Sequence, residues 1–232
     1  MKALLINGSP RPNGCTFTAL TELANTLEAE GIETEIVHVG NKDIRGCIAC
    51  RRCHSTGSNK CVFDDIVNEV APKLAEADAF IIGAPVYFGS PAGGAISFMD
   101  RLFFSTLNID KTMKVGASVV TCRRGGNTAS YDVLNKYFTM CGMPVASSQY
   151  WNMVYGGSAE EVKKDAEGLQ TMRTLGRNMA FEEYPDRQAT DRPARKRTCY
   201  LHKLSSLRKC SIFLLLCCRE SRDGNVPAFP FP

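Results

Sequence analysis

Several things are missing from this 232-residue chain. No apolar run approaches the roughly 20 residues of a membrane-spanning helix, which excludes a membrane span of that kind. No charged segment followed by an apolar one opens the sequence, so no signal peptide is expected. Charge of one sign is missing too. Ten of the 28 Lys/Arg and six of the 24 Asp/Glu fall in residues 181–232, which leaves 18 of each in residues 1–180. A neutral body gives no electrostatic footing for nucleic acid, and no such partner is expected. Two phosphate-binding signatures are also absent: G-x-G-x-x-G, and a loop ending in Gly-Lys-Ser/Thr.

What is present is a globular composition, 44% hydrophobic and 22% charged, long enough for one α/β domain and extra sequence. Short apolar runs alternate with helical stripes. Ala3–Ile6 reads as a buried strand, and Leu20, Leu23, Ala24 and Leu27 as a helix face ended by Gly31. Strands are expected over Thr34–Val39, Ala79–Ala84, Lys114–Thr121 and Met143–Trp151. Helices are expected from Asp64-Asp65, with Ile66, Val67, Val70 and Leu74 on one face, and through Ala95, Phe98, Met99 and Leu102. Another runs from about residue 127 to Gly142. The last covers 159–180, with Ser158 as N-cap and Glu161 completing a capping box. Five strand–helix alternations predict a doubly wound parallel sheet, whose ligands sit beyond the C-terminal strand ends.

Three turn-rich loops fall at that edge. The first, Asn7-Gly8-Ser9-Pro10-Arg11-Pro12-Asn13-Gly14-Cys15-Thr16, leads from a strand into a helix N-terminus. Unpaired N–H groups, the helix dipole, hydroxyls from Ser9 and Thr16 and the Arg11 guanidinium suit a phosphate monoester. The second is Pro85–Ala92 and the third Cys122–Thr128. His38, near a strand end, reads as a packing or surface residue.

Of eleven cysteines, seven lie in the body, and four of those are Cys47-x2-Cys50-x2-Cys53-x7-Cys61. Clustered cysteine in an intracellular chain points to metal or redox use rather than disulfides. Four thiolates suit a [4Fe–4S] cluster. They also suit zinc or a reduced loop without metal, and the spacing leaves all three open. From Phe181 the pattern breaks. Pro185 stops the last helix, Arg192–Arg197 is basic, and Ser211–Cys218 is apolar. Residues 181–232 read as an atypical, poorly ordered basic tail.

Asn7-Gly8-Ser9-Pro10-Arg11, the loop Pro85–Pro91 and Asp100-Arg101 together resemble the flavodoxin-like NADPH-dependent FMN reductases. Within that group the cysteine run resembles the iron-sulfur flavoproteins. The resemblance covers residues 1–180. It implies a flavodoxin-like five-stranded parallel sheet of order 2-1-3-4-5, with helices on both faces and FMN at the strand ends. Ser9, Arg11, Cys15, Thr16 and Phe17 would surround the phosphate. Pro85, Val86, Tyr87, Phe88 and Gly89 would run along the ring, and Thr121, Arg123, Gly125 and Gly126 would close the other side. The family usually carries Asn-Thr-Thr/Ser where this chain has Cys15-Thr16-Phe17, so backbone N–H groups would serve there. The implied activity is a cytoplasmic FMN enzyme that oxidises NAD(P)H and reduces a small acceptor such as a flavin or quinone. No catalytic side chain is expected beyond the cofactor's own chemistry. The second implied activity is ferredoxin-linked electron transfer through a cluster on the four cysteines. A homodimer or homotetramer is expected.

Overall fold

A computed structural model describes residues 1–183. The chain opens with β1 (Lys2–Asn7), α1 (Cys15–Ala29) and β2 (Glu33–His38), followed by a short α2 (Arg52–Thr56) and α3 (Ile66–Glu76). Next come β3 (Ala79–Tyr87), a two-residue β4 (Ser90–Pro91), α4 (Gly93–Ser105), β5 (Val115–Cys122) and α5 (Asn127–Met140). β6 (Met153–Tyr155), α6 (Ala159–Val162) and α7 (Ala166–Glu183) complete it.

The five parallel strands run in the order β2-β1-β3-β5-β6, which is the expected 2-1-3-4-5 once the small antiparallel β4 is set aside. Alternation along each strand makes two cores. Leu4, Ile6, Phe80, Ile82 and Val120 pack with α3, α4 and α5 on one face. Ala3, Leu5, Ile81, Ala117 and Val119 pack with α1 and α7 on the other. Gly116 makes room for a helix, since a Cβ there would lie 2.6 Å from the Phe138 ring.

Register shapes the C-terminal edge. Asn7, the last residue of β1, pairs with Gly83, and β3 continues for four more residues to Tyr87. Pro85 pairs with Thr121. β3 therefore overhangs β1 by roughly 13 Å, making a step with the β1–α1 loop on its tread.

Two expectations change. The last strand is not Met143–Trp151. Only Val145 bridges Gly116, and pairing resumes at Met153. Between them the chain leaves the sheet for α7: Ser148 Oγ donates to the Thr171 carbonyl at 2.7 Å, and Asn178 Nδ2 to the Ser147 carbonyl at 2.7 Å. The last helix is two helices, because Asp165 starts α7 afresh. Its Oδ1 accepts from the Gly168 N–H at 3.0 Å and its Oδ2 from the Tyr155 N–H at 2.7 Å. Ser158 does cap α6 by accepting from the Glu161 N–H at 3.3 Å, but Glu161 reaches back to the N–H of Gly157. Of the tail expected from residue 181, three residues belong to α7, and residues 184–232 lie outside those described. Among the described residues no helix is long and apolar enough to cross a membrane.

Candidate functional site

The tread of the step is a tightly braced loop. Gly8 donates to the Gly83 carbonyl at 2.8 Å, and a Cβ on Gly8 would lie 2.7 Å from that of Ala95. Fully buried Asn7 spans the loop, accepting from the Ser9 N–H at 3.1 Å and donating to the Pro12 carbonyl at 3.1 Å. His38 Nε2 sits 2.8 Å from the Ser9 carbonyl, so it carries a proton and donates. Any Cβ on Gly40 would overlap that same carbonyl. His38 is therefore more than packing: with Gly40 it sets the outer wall of the loop.

The loop leaves donors free for a ligand. Ser9 Oγ accepts from the Arg11 N–H at 3.2 Å, and among the described residues its own proton has no acceptor. α1 begins after Gly14 with no side-chain cap, so the N–H groups of Cys15, Thr16 and Phe17 face the mouth of the loop. Arg11 is exposed beside them. Such a set of donors suits a dianion. Cys15 contributes its backbone only, because its thiol is turned to the Gly156 carbonyl at 3.5 Å and burial pushes its pKa up. Thr16 is buried, and its Oγ1 lies 2.8 Å from Thr121 Oγ1, which ties the cradle to β5.

The riser of the step is the β3–β4 turn. Tyr87 pairs with Ser90, and the two residues between them, Phe88 (φ 51°) and Gly89 (φ 77°), are both left-handed. That is the geometry of a two-residue hairpin, for which Asn-Gly is the usual choice. A Phe held there costs about 1–2 kcal/mol, and its side chain is fully exposed. Pro85 and Val86 are half-buried below it. Gly126 (φ 86°) faces this turn so closely that a Cβ would lie 2.7 Å from Gly89 Cα and 2.9 Å from Val86 Cγ1, whereas Gly125 has nothing within 4 Å. Arg123 is exposed. The three expected loops thus meet at one step, joined by the Thr16–Thr121 hydroxyl pair and the Gly126–Gly89 contact.

A fourth loop was not anticipated. Gly156 accepts from the Cys15 thiol and donates to the Cys122 carbonyl at 3.0 Å. Tyr155 Oη accepts from buried Asn127 at 2.6 Å. Gly156-Gly157 was the available signal, hidden because β6 itself was misplaced.

The four cysteines form a second, separate feature. Cys47 and Cys50 are exposed, Cys61 is half-buried and Cys53 is buried, with burial pushing its thiol pKa up. All four line one cavity with Phe63, Arg101 and Phe104. Ala49, Arg51, Gly57 and Asn59 all take positive φ, between 52° and 61°. These positive-φ residues bend the chain sharply on either side of α2, which lets it wrap round the cavity. Asn68 clamps the end of the loop, accepting from the Cys61 N–H at 2.7 Å and donating to the Cys61 and Phe63 carbonyls. Among the described residues no three His, Cys, Asp or Glu side chains are yet drawn together at metal-binding distance. Four thiols on one cavity, beside a buried guanidinium, nevertheless fit the donor set of an iron–sulfur cluster.

Of the Asp100-Arg101 pair, Asp100 accepts from Tyr137 Oη at 2.5 Å, which locks α4 to α5; burial first, and then this bond, drive the phenol pKa far upward. Arg101 turns the other way, into the cysteine cavity.

Sheet order, overhanging third strand and uncapped helix define a flavodoxin-like α/β protein. The chain belongs to the NADPH-dependent FMN reductase family, whose profile matches residues 1–157. It is similar to an iron-sulfur flavoprotein of Methanocaldococcus jannaschii, at 35% identity over 187 residues, covering 78% of this chain and 96% of that protein. Among solved structures it resembles RosB with bound 8-demethyl-8-formylriboflavin 5′-phosphate (TM-score 0.65, 18% identity, covering 100% of this chain and 95% of that one). It also resembles an archaeal flavodoxin (TM-score 0.53, 17% identity, 79% and 99% covered). At these identities the last two speak for the fold.

Proposed function

We propose that this protein is an FMN-dependent NAD(P)H oxidoreductase that passes electrons to a small acceptor such as a flavin or quinone. The observation that carries the reading is the step itself, an uncapped helix N-terminus below an overhanging turn, with both walls joined through Thr16–Thr121 and Gly126–Gly89. Bound FMN supplies the two-electron chemistry. The N–H groups of residues 15–17, the Ser9 hydroxyl and Arg11 hold its phosphate. Backbone groups of residues 86–89 orient the ring, and Gly126 sets the width of the slot. Exposed Tyr87 and Phe88 cover the solvent side, where nicotinamide and acceptor approach in turn, and Arg123 is free to meet a 2′-phosphate. The test is to load the full chain with FMN and follow NADPH and NADH oxidation with riboflavin or a quinone. A chain that takes up no FMN refutes the cofactor assignment. A loaded chain that oxidises neither nucleotide refutes the reaction.

A second reading is favoured by one observation, the single cavity lined by Cys47, Cys50, Cys53 and Cys61. In it the cysteines hold a [4Fe–4S] cluster and the protein exchanges electrons with a ferredoxin. Anaerobic reconstitution with iron and sulfide tests it: about four irons per chain and absorbance beyond the flavin bands are expected. Iron below one per chain, or zinc in its place, refutes it. In both readings residues 1–180 are the flavin domain and the basic segment from 181 is dispensable, so a chain ending at Glu183 keeps FMN affinity. A homodimer or homotetramer in the cytoplasm completes the proposal, with sedimentation as the check on assembly.

A further inference from the structure

Arg101 is the largest fully buried side chain in the described residues, and it ends at a cysteine. A guanidinium has five N–H bonds in a rigid fork, and here each has an acceptor. Nη1 donates to Asp65 Oδ2 at 2.6 Å and the Arg45 carbonyl at 3.5 Å. Nη2 donates to Asp65 Oδ1 at 2.9 Å and the Phe63 carbonyl at 3.4 Å. The fifth, on Nε, points at Cys61 Sγ from 3.3 Å. The Phe63 ring lies 5.0 Å from the guanidinium carbon. Asp65 is itself fixed, because Oδ1 also caps α3 by accepting from the Val67 N–H at 3.1 Å. The fork cannot rotate without breaking the ion pair, so the Nε–H bond to sulfur is fixed with it.

Holding α3 against α4 needs only the Asp65 pair. The bond to sulfur is additional, and it lies on the wall of the cavity that the four cysteines share. We propose that Arg101 is a positioning residue for the iron–sulfur cluster: it orients Cys61 as a ligand and raises the cluster's reduction potential by hydrogen-bonding its sulfur. This rests on the cluster reading. The direction follows from charge. Reduction adds an electron to the cluster and its sulfurs, so a donor aimed at one of them stabilises the reduced form more than the oxidised form. Asp65 cancels the net charge of the guanidinium, so the effect comes from the aimed N–H and not from a free cation. The same helix leaves the flavin edge at Gly93, eight residues earlier. That is about 12 Å along the axis, so α4 links the wall of the flavin slot to the sulfur.

Arg101→Lys separates this role from a structural one. Lysine keeps the buried cation and its pairing with Asp65 but lacks the fork that reaches Cys61 at the same time. The full chain and the variant are reconstituted anaerobically with ferrous iron and sulfide. Cluster and flavin midpoints are then read in one EPR-monitored potentiometric titration. The expected result is a cluster midpoint shifted to lower potential in Arg101→Lys, and further in Arg101→Gln, with the flavin midpoint unchanged. A folded, loaded Arg101→Lys with the wild-type cluster midpoint overturns the proposal, as does a shift of both midpoints together. Failure of the wild type to take up iron and sulfide overturns the cluster reading itself, and the role of Arg101 falls with it.

Discussion

Gly126→Ala should weaken flavin binding although it adds a single methyl group. The new Cβ would sit 2.7 Å from Gly89 Cα and 2.9 Å from Val86 Cγ1. Carbon atoms pack at roughly 3.5–4.0 Å, so the two loops must part by about 1 Å. Neither obstacle is the far end of a flexible chain: one is backbone, the other the branch of a half-buried valine. Alanine must also hold the left-handed conformation that glycine takes there at φ 86°, at a cost of about 1–2 kcal/mol. The expected loss of stability is of that size, lowering Tm by about 2–8 °C for a body of this length. If a comparable amount is lost from the slot, FMN affinity falls about 5–30-fold. Gly125→Ala is the matched control. It is the neighbouring residue on the same loop, but its Cβ would have nothing within 4 Å, so stability and affinity should stay within about 0.5 kcal/mol of wild type. Fluorescence-quenching titrations of FMN with the apo chains, beside thermal unfolding, read both quantities. Equal affinities for the two variants would refute the claim that contact between these loops sets the slot.

Thr16→Val and Thr121→Val should each cost about 1–3 kcal/mol by orphaning a buried hydroxyl, and the double variant should cost clearly less than their sum; additive denaturation midpoints would show that the 2.8 Å pair is not a bond. Phe88→Asn should raise Tm by roughly 1–3 °C, since asparagine tolerates the left-handed turn position, while weakening flavin binding; an unchanged Tm would mean that the turn carries no strain. Glu35 accepts from Lys73 and Lys2, and those bonds hold its carboxyl pKa below the usual value. A depressed folded-state pKa gives stability that is present above about pH 4.5 and lost as pH falls through the lower folded value. Glu35→Gln should therefore flatten the acid limb of the stability curve, and an unaltered limb in urea titrations from pH 6 to 3 would count against the pairing.

The strand, loop and helix start that would hold the phosphate were legible because their signals are local. Ala3–Ile6, the turn residues after it and the Leu20–Leu27 stripe each fix the conformation of their own segment, and parallel order follows from their alternation. What the sequence hid was long-range. Met143–Trp151 carries enough apolar residues for a strand, yet Ser147 and Ser148 bond to α7, more than twenty residues onward. Asp165 looks like one more polar residue on a helix until Tyr155 needs its carboxylate. Cys15 sits in the phosphate motif, but its side chain is claimed by Gly156, 141 residues later. The cysteine spacing was plain, while the backbone that gathers the thiols was not, because Ala49, Arg51 and Asn59 are not residues from which positive φ is read. Arg101 stood beside Asp100 as a family signature, and only the packed chain shows that the two point to different partners.

The departure of Ser147 to Trp151 from the sheet also bears on how this protein behaves in company. A strand at the rim of a sheet offers a row of unpaired N–H and C=O groups to any extended chain that comes by. Here β6 offers three residues, Met153–Tyr155, too few to template a stable addition. The opposite rim, β2, is six residues long but carries Glu33 and Glu35, with Lys2 and Lys73 gathered on the latter. One rim is blunted by brevity and the other by charge. Among the described residues, a sheet whose inner strands are almost wholly apolar is therefore guarded at both rims against edge-to-edge pairing without closing into a barrel.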